Sequence, residues 1–232
     1  MPISKKDIHG KAILAYYLGD RTTRLKLHNS YGPIDIMPLD VFFKEAEDFS
    51  DLENMALSHC RGAILDIGAA AGTHALFLQS FGANVTALDS SSGCVETMKR
   101  SGVQHVVQQD YRQHQATYDT LLLLMNGIGI AGSLNQLPDF FNKCKSLLNP
   151  GGQFLLDSSD IAYLYADGLA KPEHYYGEIR YRYEYDKEQG DWFNWLYVDA
   201  THLNKAAQEA GFELEILHTD AHDQYLAKLQ LI

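Results

Sequence analysis

The sequence predicts an α/β fold in which helices flank a doubly wound, mostly parallel sheet. Between residues 60 and 160, short apolar segments typical of buried strands alternate with amphipathic segments typical of helices, as in repeated β-α units. The first strand segment, 63–67, runs directly into a turn of very small residues, 68–72. Near the end of the chain, a short polar stretch separates 212–218 from 225–231, which predicts a final pair of strands.

The first β-α unit is the most informative part of the chain. Ala63–Ile67 is apolar apart from Asp66, which predicts a buried parallel strand, and the amphipathic segment after the turn predicts a helix. The turn between them, Gly68–Gly72, contains only glycine and alanine. Because no large side chain stands in the way, such a turn can approach a nucleotide-like ligand closely and present free N–H groups to it.

The spacing of the glycines distinguishes two kinds of ligand. A nicotinamide-binding fingerprint has glycine at the first, third and sixth positions of the turn. Counted from Gly68, the third and sixth positions are Ala70 and Thr73, so two of the three glycines are missing. A nicotinamide-dependent oxidoreductase is therefore the less favoured interpretation.

The turn resembles motif I of the class I S-adenosylmethionine-dependent methyltransferases, which has the form acid-x-Gly-x-Gly-x-Gly. Asp66, Gly68 and Gly72 match this motif, whereas Ala70 replaces the middle glycine and takes up the clearance of one methyl group. The resemblance implies S-adenosylmethionine as the cofactor and S-adenosylhomocysteine as the product. It also implies a Rossmann-like sheet of seven strands, mostly parallel, with one antiparallel strand.

Four further landmarks follow the motif in the order typical of this family. Asp89 lies 21 positions after Gly68, at the end of a second strand, where its carboxylate can accept hydrogen bonds from both hydroxyl groups of a ribose. Asp110 and Tyr111 follow a third short strand. The resemblance implies that this acid contacts the adenine amino group and that its neighbour packs on the ring.

The fourth strand, 118–125, ends at Asn126-Gly127, where the family places contacts to cofactor and substrate. A turn at 149–152 then leads into the fifth strand, which is again typical of the family. The predicted cofactor-binding residues are Asp66, Gly68, Ala69, Ala70, Gly72, Asp89, Ser90, Asp110, Tyr111, Asn126 and Gly127.

Each landmark also has a purely structural explanation. Asp89 can cap the helix that follows it, Asp110 can be a turn acid after a short strand, and Asn126-Gly127 is an ordinary turn dipeptide. These explanations do not account for the order of all five landmarks on one chain. The methyltransferase interpretation is therefore preferred.

The composition excludes several classes of protein. The chain of 232 residues is 46% hydrophobic and 21% charged, which is typical of a soluble globular protein. No apolar run approaches the roughly 20 residues of a membrane helix, and the N-terminus lacks the apolar segment of a secretory signal. Three widely spaced cysteines favour reduced thiols and a cytoplasmic location. A net charge of −11 makes a nucleic-acid substrate improbable.

Histidines near the C-terminus raise the question of a metal. His202, His218 and His222 lie on different predicted elements, and no acid or thiol framework accompanies them. The sequence therefore predicts no metal site.

The family core does not account for the whole chain. We predict an N-terminal helical cap over residues 1–60, with one helix over Ile8–Leu18 and another opened by 38–40, and a core over 61–232. Within the core, residues 161–198 form an insertion. N-terminal helices commonly fold over the cofactor cleft in the family that the motif resembles.

The insertion contains an aromatic β-hairpin. Glu178–Tyr185 and Trp192–Val198 alternate in polarity and are joined by a predicted turn at 187–191. The aromatic residues either cover an exposed sheet face or form a lid over a flat or cationic acceptor. A contact between the subunits of a homodimer is a third possibility.

The predicted activity is transfer of a methyl group to a small-molecule acceptor by direct in-line displacement. Alignment of the reactants and exclusion of water supply most of the catalysis, and a general base is required only if the acceptor loses a proton. Candidates for such a base are Asp157, Tyr31 and His28, together with Asn126 and Asp160, but no spacing pairs a base with a nucleophile. A non-catalytic module that only binds S-adenosylmethionine is the alternative from another class.

Overall fold

The computed structural model describes residues 6–166 and 170–232. Within them the α-helices are α1 (Ile8–Tyr17), α2 (Asp51–His59), α3 (Thr73–Ser80), α4 (Ser92–Ser101), α5 (Leu137–Ser146) and α6 (Ala200–Glu209). The β-strands are β1 (Leu25–Asn29), β2 (Asp35–Met37), β3 (Ala63–Ile67), β4 (Asn84–Asp89), β5 (Val106–Gln108), β6 (Tyr118–Leu123), β7 (Leu148–Ser159), β8 (Glu178–Tyr185), β9 (Glu188–Gln189), β10 (Phe193–Leu196), β11 (Phe212–Thr219) and β12 (Gln224–Leu231). None of the helices in these two ranges is long and apolar enough to cross a membrane.

The chain divides into two compact units, each of which draws on several segments. The first unit comprises Met1–Phe49, Gly62–His114 and Tyr181–Phe193, and the second comprises Ser50–Arg61, Gln115–Arg180 and Asn194–Ile232. The predicted division into a cap (1–60), a core (61–232) and an insertion (161–198) remains a prediction.

The larger sheet confirms the predicted fold class. Among the described residues it has seven strands, in the order β11-β12-β7-β6-β3-β4-β5. Strand β4 is parallel to β3 and β5, and β6 is parallel to β7, whereas β12 runs antiparallel to both β7 and β11. One antiparallel strand in an otherwise parallel sheet is the topology that the resemblance implied.

The central strands of this sheet are recognisable in the sequence because they are buried on both faces. Leu121 and Leu122 are fully buried in β6, and Phe154, Leu155 and Leu156 are fully buried in β7. The central part of each strand therefore reads as a short apolar run, 121–123 in β6 and 154–156 in β7, rather than as an alternating pattern. Strand β6 ends at Leu123, two residues before the predicted limit, because Met125 adopts a left-handed backbone with a φ of 63°.

A second sheet, in the order β10-β8-β1-β2 with β9 paired to β8, was not predicted as such. The hairpin insertion was expected, but its partner β1 comes from the N-terminal segment that was predicted to be helical. Strands β1 and β8 pair antiparallel from Lys26↔Glu184 to Asn29↔Tyr181, and β2 pairs with β1 on the other side. The helix predicted to open at 38–40 is only a 3-10 turn, Asp40–Phe42.

The hairpin turn lies earlier than predicted. Asp186 and Lys187, with φ of 47° and 65°, form the two-residue connection between β8 and β9. Two consecutive left-handed residues match the right-handed twist of the paired strands, as in a type I′ turn. Glu188 and Gln189, which were predicted to belong to the turn, therefore form a short strand instead.

In the first unit, α1 packs closely on α4 at the start of both helices. Asp7 is the N-cap residue of α1 and accepts a hydrogen bond from the Gly10 N–H (3.0 Å). The same carboxylate accepts hydrogen bonds from the Ser91 hydroxyl (2.8 Å) and the Gly93 N–H (2.9 Å) at the start of α4. One acid thus ties the two helix N-termini together, and these bonds hold the pKa of Asp7 below its usual range against the opposing effect of burial.

Candidate active site

The glycine turn after β3 presents an open face at its first residue. Gly68 has a φ of 72°, which favours glycine, and a Cβ atom built there would meet no heavy atom within 4 Å. The residue is exposed to solvent. The turn therefore leaves open space beside Gly68.

Most N–H groups of the turn are already bonded within the protein, contrary to the expectation. The Gly68 and Ala69 N–H groups donate to the Leu88 carbonyl oxygen at 2.8 and 3.2 Å, and the Ala70 N–H donates to Asp89 Oδ2 at 2.9 Å. These bonds tie the turn to the end of β4. The turn is thus stabilised by contacts within the protein. Its main contribution to ligand binding would be to let a ligand approach the backbone closely, rather than to donate hydrogen bonds to it.

Ala70 and Gly72 have packing roles that the motif alone did not indicate. Ala70 adopts a φ of 49° and packs against the apolar cluster around α1, which includes Ile13, Leu25 and Leu39. Gly72 has a φ of 84°, and a Cβ there would lie 2.8 Å from Val103. The first of these contacts gives a reason for alanine at the family's middle glycine position.

Asp66, the acid of the motif, is buried at the end of β3. Only 3% of the residue is exposed, and its Oδ2 atom has no hydrogen-bond partner in the described residues. Burial raises its pKa to about 6, although the nearby His74 acts in the opposite direction. A buried carboxylate oxygen without a partner is ready to accept a hydrogen bond from a bound ligand.

Asp89 ends β4 beside the glycine turn. Its Oδ2 accepts from the Ala70 N–H, and its Oδ1 accepts from the Ser91 N–H at 2.8 Å. Burial raises its pKa to about 6. The N-cap residue of α4 is Ser91, whose hydroxyl accepts from the Cys94 N–H at 3.0 Å, so Asp89 itself does not cap that helix. Ser90 lies between them and is exposed.

Asp110 and Tyr111 follow β5 as predicted, and the structure shows the local role of the acid. Asp110 Oδ1 accepts from the Arg112 N–H at 2.9 Å, and Asp110 Oδ2 pairs with Arg112 Nη1 at 3.4 Å. Asp110 is therefore the N-cap of the 3-10 turn Tyr111–Gln113. Tyr111 is buried, with the Arg112 guanidinium 4.7 Å from the centre of its ring.

In the second unit, the ends of β6 and β7 meet around Asn126. The Asn126 N–H donates to both oxygens of Asp157, at 2.9 and 3.0 Å, and its side-chain Oδ1 accepts from the Ser159 hydroxyl at 2.8 Å. Asn126 has a φ of 54°, a left-handed conformation that asparagine adopts more readily than most other residues, and these bonds hold it in place. Gly127 follows, and a Cβ there would lie 2.6 Å from Leu123 Cγ.

Two candidate bases of the second unit are engaged in the fold. Asp157 is fully buried and also accepts from Gln224 Nε2 at 2.7 Å. Asp160 Oδ1 accepts from the Tyr176 hydroxyl at 2.7 Å and from the Ala162 N–H at 2.9 Å. Burial, followed by the bond to Asp160, raises the pKa of Tyr176. Both acids hold neighbouring segments in position.

In the first unit, His28 forms a pair with an acid that the sequence did not single out. His28 Nε2 lies 2.9 Å from Glu184 Oε2, and each side chain is 15% exposed. Lys26 also bonds Glu184, at 2.8 Å, and these contacts lower the pKa of Glu184 to about 2, with the Lys26 bond as the largest cause. The alternation of charged and aromatic residues in 178–185 was the available signal, but the pairing with β1 was not evident.

Tyr31 lies in the turn after β1, near the end of the same strand. Asn29 Oδ1 accepts hydrogen bonds from the N–H groups of Tyr31 (3.1 Å) and Gly32 (2.7 Å), which fixes the turn. The tyrosine is half-buried. The structure therefore brings His28 and Tyr31 to one end of the second sheet.

No group of three or more histidine, cysteine, aspartate or glutamate residues in the described ranges could hold a metal ion. His202, one of the three histidines considered above, bonds Asp199 Oδ2 through Nδ1 at 2.6 Å. Asp199 is the N-cap of α6, so this histidine supports a helix start.

Comparison with known proteins identifies the family. Residues 42–217 match the family model described as a methyltransferase domain. The structure of an S-adenosylmethionine-dependent methyltransferase from Bacteroides fragilis, in complex with S-adenosyl-L-homocysteine, is 41% identical and covers 100% of this chain and 97% of the other, with a TM-score of 0.92. The chain therefore belongs to the methyltransferase-domain family.

More distant structures share the fold. The CcbJ methyltransferase from Streptomyces caelestis is 14% identical, with a TM-score of 0.63 over 83% of this chain and 95% of the other. DesVI from Streptomyces venezuelae is 16% identical, with a TM-score of 0.60 over 83% and 92% of the two chains. A search of curated proteins gave no match.

The protein is an S-adenosylmethionine-dependent methyltransferase, and the cofactor implied by the motif is confirmed. The residues around the glycine turn fit such a group. Gly68 leaves open space, Asp66 keeps one buried oxygen without a partner, and the half-buried Asp89 is an acid suited to accept from hydroxyl groups. The alternative of a nicotinamide-dependent oxidoreductase finds no support in the family.

Proposed function

We propose that this methyltransferase transfers the methyl group to a small-molecule acceptor by direct in-line displacement. The observation that carries the proposal is the His28–Glu184 pair, in which two side chains that are each only 15% exposed lie 2.9 Å apart. Because the protein largely encloses both side chains, a small molecule can reach them more easily than an extended polymer can. The net charge of −11 further disfavours a nucleic-acid acceptor, which would require concentrated positive charge.

The proposed cofactor site combines the residues predicted from the sequence. Asp89 is proposed to accept from the ribose hydroxyls, and the unpartnered oxygen of Asp66 supports a role in accepting from a further donor of the cofactor. The proposed set is Asp66, Gly68, Ala69, Ala70, Gly72, Asp89, Ser90, Asp110, Tyr111, Asn126 and Gly127.

When bound, the cofactor supplies a methyl group on a sulfonium, which is already activated for transfer. The protein must then align the acceptor and exclude water, and remove a proton if the acceptor loses one. His28 is the preferred candidate base because Glu184 orients its imidazole ring and can stabilise the imidazolium. Since Nε2 faces Glu184, the proton would be taken up at Nδ1.

Asp157 and Tyr31 are proposed in supporting roles. Asp157 is fully buried, and its oxygens accept from the Asn126 N–H and from Gln224, which suits a positioning residue for the end of β6. Tyr31 lies in the turn fixed by Asn29 and can contact an acceptor beside His28.

The test is a methyl-transfer screen in which cofactor with a labelled methyl group is incubated with pools of small molecules. We expect label in a low-mass product, and we expect the Asp89→Ala variant to give much less label at a cofactor concentration that only half-saturates the wild type. If calorimetry shows S-adenosylhomocysteine binding but no pool becomes labelled, the alternative of a non-catalytic binding module is favoured.

With an acceptor identified, His28→Gln tests the base. If the acceptor loses a proton, kcat should fall by roughly 10²–10⁴-fold, as for removal of a general base. The affinity for S-adenosylhomocysteine should stay unchanged because His28 is not in the proposed cofactor site. An unchanged kcat would exclude His28 as the base without affecting the assignment of the acceptor class.

A further inference from the structure

Arg182 of β8 is a cation with an unusual lack of partners. Its Nε atom is buried, yet it has no hydrogen-bond acceptor in the described residues. Its guanidinium lies over the ring of Trp192, whose centre is 4.9 Å from Arg182 Cζ. Buried donors in proteins are nearly always paired, so an unpaired one calls for an explanation.

The nearest acid on the strand does not satisfy Arg182. Glu184 already accepts hydrogen bonds from Lys26 Nζ (2.8 Å), His28 Nε2 (2.9 Å) and Gln189 Nε2 (2.7 Å). Its carboxylate therefore already accepts three hydrogen bonds from groups of β1 and β9, and none of the three comes from Arg182. Arg182 remains as a surplus positive charge next to this network.

The register of the second sheet gathers positive charge on one face. Lys26 lies opposite Glu184, and His28 lies opposite Arg182, so these four residues share a face of the β1–β8 pair. Two permanent cations and a histidine accompany one carboxylate. Such an excess is notable in a chain with a net charge of −11.

We propose that Arg182, resting on Trp192 beside His28, binds an oxyanion group, a carboxylate or phosphate, carried by the methyl acceptor. The planar guanidinium matches the geometry of both groups and combines readily with an aromatic platform. This inference rests on the proposed function, since it assigns an anionic group to the acceptor that His28 would serve. An arginine that merely packs on Trp192 would have no need of an anion.

Anion binding can be measured at the atom concerned. The Nε–Hε signal of Arg182, assigned by its loss in Arg182→Met, is followed by ¹⁵N NMR while acetate or inorganic phosphate is added at constant ionic strength, with chloride as the control anion. We expect a saturable shift with acetate or phosphate that chloride does not produce. Whichever anion gives the tighter binding identifies the group on the acceptor.

Arg21 provides a matched control. Its guanidinium also lies over an aromatic ring, with Cζ 3.6 Å from the centre of Tyr16, but it donates to the carbonyl oxygens of Tyr16 and Asp20. Its signal should not shift, and Arg21→Met should leave the binding of acetate and phosphate unchanged. Arg182→Lys keeps the charge without the Nε–H group, and it should bind the anion more weakly than the wild type even if Arg182→Met folds poorly.

The kinetic test uses an acceptor from the labelled screen. Arg182→Met should raise KM for an anionic acceptor by about tenfold or more while kcat changes little, because the anionic group binds the acceptor but does not itself react. Absence of a saturable shift, with transfer intact, would overturn the anion site and leave the proposed function standing. Saturable binding without transfer to any small molecule would instead overturn the proposed function and the assignment of the anion to an acceptor.

Discussion

Burial of Asp66, whose Oδ2 atom has no hydrogen-bond partner among the described residues, lowers the stability of the ligand-free protein above about pH 6. The pKa of Asp66 is about 6, well above the ordinary value of about 4, so the folded chain holds a proton there that the unfolded chain has lost. Its contribution to the free energy of unfolding therefore decreases as the pH rises from about 4 to about 6. Above that window the ionised acid costs on the order of 2–3 kcal/mol.

Asp66→Asn removes this buried charge. We expect the variant to be more stable than the wild type at pH 7.5 by on the order of 1–3 kcal/mol, with the difference shrinking towards pH 4. Thermal unfolding of the ligand-free protein across this range measures the effect. The affinity for S-adenosylhomocysteine should fall at the same time, because the carboxylate oxygen offered to the ligand is lost. A variant that binds normally and is no more stable would contradict both expectations.

Asp89 allows a second test of the cofactor site. Asp89→Ala removes an acceptor proposed to bind two ribose hydroxyls, each such bond to a charged group being worth roughly 1.5–3 kcal/mol. The affinity for S-adenosylhomocysteine, measured by calorimetry, should fall at least about tenfold in a folded protein. Because the pKa of Asp89 is about 6, the affinity of the wild type should also rise as the pH increases through that value. Unchanged affinity would show that Asp89 does not bind the ribose and serves only to bond the Ala70 and Ser91 N–H groups.

At the level of single residues, the sequence predicts the class of ligand better than it predicts which hydrogen bonds each residue forms. The order of Asp66, Gly68 and Asp89 predicted the ligand class because these residue types are required at that spacing. The partners of the turn N–H groups and the unpaired Nε of Arg182 were not predictable. Whether one atom is buried or paired depends on segments that are far apart in the chain.

Helices α1 and α4 approach each other closely because glycine occupies the contact on both. A Cβ at Gly93 would overlap the backbone carbonyl of Gly10, and neither glycine has a positive φ that would itself demand glycine. Gly93→Ala should therefore destabilise the protein by about 1–3 kcal/mol through overpacking, although alanine favours a helix.

Chemical denaturation of Gly93→Ala and Gly32→Ala measures this effect against a matched control. Gly32 also lacks a positive φ, but a Cβ there would meet only Asn29 Oδ1 at an ordinary 3.7 Å. Its substitution should change the free energy of unfolding by less than about 0.5 kcal/mol. If the two substitutions change the free energy of unfolding equally, the close contact between α1 and α4 can widen to accept the extra methyl group without destabilising the protein.

At the level of elements, burial on both faces made the central strands of the seven-stranded sheet visible as short apolar runs. The same signal was missing for β1 and β2, whose residues are mostly half-buried or exposed. Strand β2 has only three residues, and β1 pairs with β8 across more than 150 positions of sequence. The hairpin was predictable from its alternation, whereas its union with an N-terminal strand was not.

For the whole molecule, the family fixes the reaction and the cofactor, while the assembly stays a prediction. Strand β2 is an edge of the second sheet, and Ile34 and Ile36 in and beside it are 53% and 51% exposed. Unpaired strand edges with apolar side chains tend to pair with another chain. We therefore expect this edge to form the contact of a homodimer; it is a different surface from the aromatic hairpin, for which a subunit contact was considered above.

Ile36→Lys tests the contact, because a lysine on an edge strand opposes pairing between chains. The wild type should have twice the 26.1 kDa mass of the chain by light scattering, and the variant should have the mass of one chain. The affinity for S-adenosylhomocysteine should be the same in both, since Ile36 lies outside the proposed cofactor site. A wild type that is already monomeric would exclude the dimer, and loss of methyl transfer at unchanged mass would assign this edge to the acceptor site instead.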